Sequence, residues 1–343
     1  MKIYILFELK KGATGGGNQF LKAIKEYFKK VNSYTEIVGD ADVILYNSYQ
    51  FIPELIKIKK QYPNKVYIHR IDGPIRLYNT MDDRRDFVIN DANELIADGT
   101  IFQSNWSRNK NFELGIKNNK FETMILNAPN PKIFNLSNKK KFSKNGKIKL
   151  IATSWSSNWK KGFEIYKWLD NNLDFDKYEM TFVGNSPIEF KNIKYKKPMN
   201  SEDLANELKQ NDIFFTASQK DPCSNSLIEA LHCGLPAIGF NDGGHPEIIS
   251  SAGKVFNEKE EILSILEEIV KNYEQYQQNI ELPSLDEVGK KYFEFLEAIY
   301  NQQQNKQYKS KSFNLVNQLN LNYTLFFWKI SEKFNSFKNR LYK

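Results

Sequence analysis

The chain has 343 residues, 41% of them apolar, and no apolar run approaches the roughly 20 residues of a membrane span. The formal charge is +8, but the segment from Asn301 onward carries eight basic residues against the single acid Glu332. The body before it is therefore close to neutral, which argues against nucleic acid as a partner. Length points to two domains of ordinary size.

Cys223 and Cys233 make no disulfide framework, and with three histidines they leave little material for a structural zinc site. No charged leader, apolar stretch and cleavage site precede the first strand. A cytoplasmic location without a secretory signal is expected.

Lys2–Glu8 reads as an apolar strand that runs into the turn Gly12-Ala-Thr-Gly-Gly-Gly17-Asn18, with a helix from about Asn18 to Lys29. Consecutive glycines let backbone N–H groups approach a phosphate closely. The turn lacks the lysine of a P-loop and the full dinucleotide fingerprint, so a plain turn stays open as an alternative. Asp42–Asn47, Lys65–Arg70, Thr100–Ser104 and Thr123–Asn127 read as buried strands, with helices Phe51–Lys60 and Asp83–Ile96 between them. This alternation predicts a parallel, doubly wound α/β sheet.

Tyr67-Ile-His69-Arg70-Ile-Asp72-Gly73-Pro74 ends the third of these strands. His69 suits proton transfer, and Arg70 and Asp72 suit contacts to hydroxyls; a structural histidine is the alternative. Residues Asn135–Lys147 are rich in Lys, Asn and Ser and read as an exposed linker.

A second alternating series follows. Its strands fall near Ile148–Ser154, Glu179–Gly184, Ile213–Thr216 and Ala237–Phe240. Its helices fall near Gly162–Leu169, Ser201–Gln210, Ser226–Cys233 and Lys259–Tyr273. The expected division is a Rossmann-like domain 1–134, a linker 135–147, a second Rossmann-like domain 148–282, a returning helix 283–300 and a basic tail 305–343. Two such sheets facing across a cleft would hold a ligand at the carboxyl ends of their strands.

The strongest signal is Asp221-Pro-Cys-Ser-Asn-Ser-Leu-Ile-Glu229-Ala-Leu-His-Cys-Gly-Leu-Pro236. It follows an apolar strand, and its polar loop enters a helix whose first turn is Ser224, Asn225 and Ser226. A helix start after a strand suits an anion, because free N–H groups and the dipole favour negative charge. Asp221 in the loop and Glu229 on the helix can flank that anion and bind hydroxyls. Either acid alone fits a capped, solvated helix better than the whole run does. Asp40-Ala-Asp42 and Asp174-Phe-Asp176 spell a metal-binding DxD, but each sits where a turn or strand start accounts for it.

The Asp221–Glu229 run resembles the acidic E-x7-E signature of family 4 glycosyltransferases, with Asp221 in the first acidic place. Gly234-Leu-Pro-Ala-Ile and Gly243-Gly-His-Pro-Glu247-Ile-Ile continue the likeness. It covers roughly Met1 to Tyr300 and is most specific in the second half. The resemblance implies a GT-B fold, a nucleotide-diphospho-sugar donor, retention of anomeric configuration, and neither cofactor nor essential metal. It implies that Glu229 binds the ribose and Asp221 the transferred sugar. The backbone amides of Asn225, Ser226 and Leu227 would hold the distal phosphate.

In Ser154-Trp-Ser-Ser-Asn-Trp-Lys-Lys-Gly162, Lys161-Gly162 matches the family's Lys-Gly, whose lysine meets the diphosphate. The family's Gly-Arg just before it is missing. Trp155, Ser156 and Ser157 stand there, and Lys160 or the hydroxyls of Ser156 and Ser157 are the candidate replacements. Gly15, Gly16 and Gly17 would lie against the donor, His69 near the donor sugar, and Asp72 at the sugar or acceptor. Asp98, Ser104 and Asn105 resemble the next strand and turn, where a structural role is expected.

The expected activity is retaining transfer of a sugar to an acceptor hydroxyl in polysaccharide or glycolipid synthesis. The partners would be the donor and a carbohydrate or lipid-linked acceptor. The alternatives are a non-catalytic sugar-nucleotide-binding protein and another GT-B enzyme, such as a sugar-nucleotide epimerase.

In the tail, Leu315, Leu319, Tyr323, Phe326, Ile330, Phe334, Phe337 and Leu341 recur at intervals of three and four, which predicts one apolar helix face. Basic neighbours suit an anionic membrane surface through 313–343. The alternative is that this face packs on the body or on a second subunit.

Overall fold

A computed structural model describes the chain except residues 11, 13, 14, 342 and 343, with side chains described as far as Phe334. Two compact units emerge. The first comprises Met1–Glu8, Lys25–Leu126 and Gly289–Lys343; the second comprises Leu9–Ile24 and Asn127–Val288.

The first unit holds β1 (Ile3–Leu6), β2 (Val43–Asn47), β3 (Val66–Ile71), β4 (Gly99–Phe102) and β5 (Phe121–Met124), all parallel and adjacent in that order. On the free side of β1, Tyr34 makes an isolated parallel bridge to Ile3. The chain therefore lines one edge of β1 before β2 pairs with the other, so sheet growth changes direction there, as in doubly wound folds. Both faces of the central strands are covered, and β2 and β3 are buried along their whole lengths. The last strand of this sheet ends earlier than expected. It stops at Met124, and further on Pro129 and Pro131 bring no N–H with which the ladder could resume.

Helix Leu285–Gln304 buries Tyr292, Leu296 and Ile299. Gly99 is what lets it approach β4: a Cβ there would lie 2.6 Å from Ile299 Cδ1.

Helix Leu315–Leu341 docks on the first unit, but not by the expected stripe. Leu321 and Leu325 are buried in the cluster containing Ile44, Tyr46 and Val88, and Trp328 packs against it. Trp328 meets Tyr49 edge to face at 5.5 Å, and Thr324 Oγ1 donates to Asp91. Asp98 anchors the segment ahead of the helix. It is fully buried and accepts from Tyr308 Oη at 2.8 Å, Lys311 N at 2.9 Å and Tyr67 N at 2.8 Å. The expected face, from Leu315 to Phe334, stays 46% to 69% exposed. Packing of that face on the body is thereby overturned. For Phe337 and Leu341 the expectation lies outside the described side chains.

The second unit holds β6 (Ile148–Ser154), β7 (Tyr178–Gly184), β8 (Lys194–Lys196), β9 (Ile213–Thr216), β10 (Ala237–Phe240) and β11 (Gly253–Phe256). The spatial order is β11-β10-β9-β6-β7-β8, all parallel. The chain winds outward from β6 to β8, then returns to β6's other side and winds outward again. The switch point, where open α/β sheets bind ligands, lies between β6 and β9. The edge strand β8 and the outermost β11 have no counterpart in the sequence reading. β8 is Lys-Tyr-Lys, polar because it is an exposed edge.

The stretch 135–147 is irregular and pinned to its own unit. Phe142 stacks on Tyr273 with centroids 3.8 Å apart, and Lys139 Nζ donates to Asn211 O at 2.5 Å.

Candidate active site

At the switch point three loops are tied together. The loop after β6 ends in a short 3-10 turn, Trp159–Lys161, capped by Asn158 Oδ1, which accepts from Lys160 N at 2.9 Å. Gly162 closes it at φ +87°, and a Cβ there would lie 2.3 Å from Ala217 O. Only glycine lets this loop meet the one after β9. Gln219 N then donates to Lys160 O at 2.6 Å. The result is that Lys161 Nζ sits 3.0 Å from Asp221 Oδ2, across 60 residues of chain.

The loop after β10 fixes Asp221 from the other side. Gly244 N donates to Asp221 O at 2.9 Å, and Gly243, at φ +66°, leaves no room for a Cβ beside that oxygen. Lys220 donates to Asp242 through both N and Nζ, each at 3.1 Å. Burial pushes the Asp221 carboxyl up, but the Lys161 charge, His245 and hydrogen bonds from Lys161 and the Cys223 backbone outweigh it. The carboxyl is held below its ordinary value. His245 is fully buried with Nδ1 3.1 Å from Phe240 O, and burial lowers its pKa although Asp221 opposes the shift.

Helix Asn225–His232 starts beside this pair without a side-chain cap. The Ser224 hydroxyl lies 3.3 Å from Ser226 Oγ and bonds no helix amide. Among the described residues the amides of Asn225, Ser226 and Leu227 have no acceptor in the protein, so three donors and the dipole are left for an anion. One turn on, Glu229 is 8% exposed, and burial raises its carboxyl to about 8.

The Gly-rich loop belongs to this unit. Gly16 lies on Asn225: a Cβ would fall 2.5 Å from its Nδ2 and 2.6 Å from its Cβ. Asn225 Oδ1 also accepts from Asn127 Nδ2 at 3.0 Å. A Cβ on Gly15 would lie 3.5 Å from Trp155 Cδ1, an ordinary contact, while one on Gly17 would meet nothing within 4 Å. Gly16→Ala is therefore expected to displace Asn225 and cost about 1–3 kcal/mol, whereas Gly17→Ala is expected to leave stability within about 0.5 kcal/mol. Urea unfolding of the two variants checks this; equal midpoints would refute the contact.

Ser156 Oγ accepts from Asn158 N at 3.1 Å and Ser156 O accepts from Ser154 Oγ at 2.7 Å, so Ser156 shapes the loop as well as facing it. Lys160 is half-buried at the edge of the same turn.

His69 and Asp72 lie in the first unit. His69 is fully buried, stacks on Tyr46 at 4.3 Å and has Nε2 2.9 Å from Ser48 O. Burial lowers its pKa to about 4, against partial compensation from Ser48, Asn93 and Asp72, so the ring is neutral at pH 7. Asp72 accepts from Arg70 Nη1 at 3.0 Å, Ser48 Oγ at 3.0 Å, Asn47 Nδ2 at 3.3 Å and Gln103 Nε2. A carboxylate that accepts from that many donors is held in one orientation. Ser104 caps helix Asn105–Glu113 by accepting from Ser107 N at 2.9 Å. Asp42 and Asp174 accept from the backbone amides of Lys2 and Asp176.

Sequence reasoning missed His245 and the Lys220–Asp242 tie. The turn at Gly243-Gly-His was visible, but its wrapping onto Asp221 depends on β10 lying beside β9.

Residues 188–281 match the family model described as Glycosyl transferases group 1. No curated protein matches the sequence. Among solved structures, Anabaena HepE in complex with UDP-glucose is similar at TM-score 0.60 and 12% identity, over 89% of this chain and 98% of that one. AviGT4, a glycosyltransferase involved in avilamycin A biosynthesis, gives 0.61 and 10%, over 88% and 98%. Sucrose-phosphate synthase from Thermosynechococcus elongatus gives 0.56 and 15%, over 85% and 78%. The chain has the GT-B fold, and its residues 188–281 match the model of the glycosyl transferases group 1.

Proposed function

We propose that the chain is a retaining, metal-independent glycosyltransferase that moves a hexose from a nucleotide diphosphate to an acceptor hydroxyl. The observation that carries this is the Lys161–Asp221 pair, 3.0 Å apart, beside the uncapped start of helix Asn225–His232. A cation, an acid and free amides at the switch point suit a glycosyl diphosphate. Anabaena HepE has been solved with UDP-glucose, and the pneumococcal O-GlcNAc transferase GtfA with UDP and GlcNAc, which makes UDP-sugars the first donors to test.

In this reading the Asn225, Ser226 and Leu227 amides hold the distal phosphate, and Lys161 neutralises charge as the anomeric carbon–oxygen bond breaks. Glu229 binds the ribose and Asp221 the sugar hydroxyls. Gly15, Gly16 and Gly17 border the diphosphate, and Ser156 and Lys160 stand in for the family's absent arginine. The acceptor oxygen bonds to the anomeric carbon on the face the phosphate leaves, and its proton passes to the departing phosphate oxygen. No separate base is then needed. His69 and Asp72 are assigned to sugar and acceptor contacts by resemblance. A polysaccharide or glycolipid acceptor, in the cytoplasm or at the inner face of a membrane, completes the proposal.

The test is calorimetric titration with UDP, GDP, ADP and their sugars, on the protein and on Glu229→Ala. One nucleotide bound tightly and lost in the variant is the expected result. No binding to any of them would overturn the reading. Binding without release of free nucleoside diphosphate on adding acceptors would move it to a non-catalytic sugar-nucleotide binder.

A further inference from the structure

The C-terminal helix has two apolar faces, and among the described residues one of them is docked. At ~100° per residue, Leu321, Leu325 and Trp328 share the side that docks on the first unit. Leu315, Leu319, Tyr323, Phe326 and Ile330 share the opposite side, and each is at least 46% exposed. Scattered exposed apolar residues are ordinary, but a continuous stripe along about four turns of helix is not. The helix cannot roll to hide it. Thr324 is bonded to Asp91, Trp328 to the Tyr49 ring edge, and the preceding segment to buried Asp98. The docked face thus fixes the direction in which the free face points from the first unit.

We infer that this free face is a docking surface for an anionic lipid bilayer. Charge selects that occupant. Exposed Lys329 and Lys333 flank the stripe, while Glu332 falls on the docked side by register. The sequence beyond adds Lys338, Arg340 and Lys343, and the segment from Asn301 carries eight basic residues against one acid. A second copy of the chain would have to bring this same positive stripe against itself in a two-fold contact, which repels. The cores of protein interfaces also avoid lysine. An anionic surface attracts both parts: the apolar stripe enters the headgroup boundary and the lysines stay at the phosphates. Among the described residues no helix is long and apolar enough to cross a membrane, so the association is peripheral.

The test is flotation of the full chain with phosphatidylcholine vesicles, with and without about 30% phosphatidylglycerol. The protein is expected to float with the anionic vesicles only, and to be released as salt rises from about 0.1 M to about 1 M. Phe326→Glu/Ile330→Glu, on the exposed stripe, is expected to weaken flotation at least about tenfold with nucleotide binding unchanged. Lys329→Glu/Lys333→Glu, which leaves the apolar stripe intact, is expected to do the same at low salt. Absence of the wild-type protein from anionic vesicles overturns the inference, and so does unaltered flotation of both variants. A wild-type dimer in light scattering that Phe326→Glu/Ile330→Glu makes monomeric, without vesicle binding, assigns the face to a second copy instead. None of these outcomes bears on donor binding in the second unit, so the transferase reading stands or falls separately.

Discussion

Lys161→Ala is expected to lower kcat by about 10²–10³, with donor affinity falling far less. In the proposed site the ground-state diphosphate has the three amides at the helix start to hold it, and Lys161 meets the charge that appears as the glycosyl bond breaks. A group that acts on developing charge shows its loss in kcat rather than in KM.

The same substitution strands Asp221. Its carboxyl is 13% exposed and stays ionised because Lys161, 22% exposed, offsets burial. Both groups keep some solvent, so the stability cost is discounted to about 1–3 kcal/mol. The pH dependence has a definite sign. A depressed carboxyl contributes stability above its ordinary value and loses it as pH falls through the folded value. Without Lys161 that folded value rises, so acid unfolding begins at higher pH.

Asp221→Asn in the Lys161→Ala background separates the two effects. It is expected to restore stability, because no unpaired carboxylate remains, and to leave kcat low. Unfolding curves and single-turnover rates on the same preparations give the answer. A kcat for Lys161→Ala within threefold of wild type, at saturating donor, would sink the assignment.

The reach of the sequence followed the distance over which each feature is encoded. Asp221, Asn225, Ser226, Leu227 and Glu229 lie on one strand–loop–helix segment, so spacing alone placed both acids around the helix start. The Lys161–Asp221 contact needs β6 and β9 side by side, and no local pattern carries that adjacency. The resemblance of Lys161-Gly162 to a known motif marked Lys161 as a site residue but not its contact with Asp221. His245 was in plain view and uninterpretable, because its environment is made by a turn at Gly243 that closes on Asp221.

The tail shows the opposite failure. Its strongest stripe was seen and assigned to a membrane surface, with packing on the body as the alternative. Yet docking follows the weaker stripe of Leu321, Leu325 and Trp328. The deciding contacts are polar ones, from Asp91 and Asp98 to Thr324, Tyr308 and Lys311. Apolar periodicity finds faces; it does not say which face meets the body when a helix has two.

Donor binding is expected to tighten as pH rises from about 6 to about 8 and then level off, by up to tenfold per unit at the steepest. The cause is Glu229. Burial, with no cation beside it to offset the cost, raises its carboxyl from 4.5 to about 8, so the empty site holds it protonated at neutral pH. A ribose diol offers two hydrogens, which an ionised carboxylate accepts and a protonated one accepts only in part. Binding must therefore expel the proton, and affinity rises with pH until the empty site has already lost it. Folding runs the other way. A raised carboxyl gives stability that is fully present below its ordinary value and lost as pH climbs through about 8. Glu229→Gln removes both dependences at once, leaving donor binding weaker at pH 8 but flat with pH, and stability flat over the same range. Calorimetry in buffers of different ionisation enthalpy reads the proton directly. Wild-type binding that releases no proton at pH 7 would mean that the nucleotide does not reach Glu229, and the ribose would have to be sought on another part of the second unit.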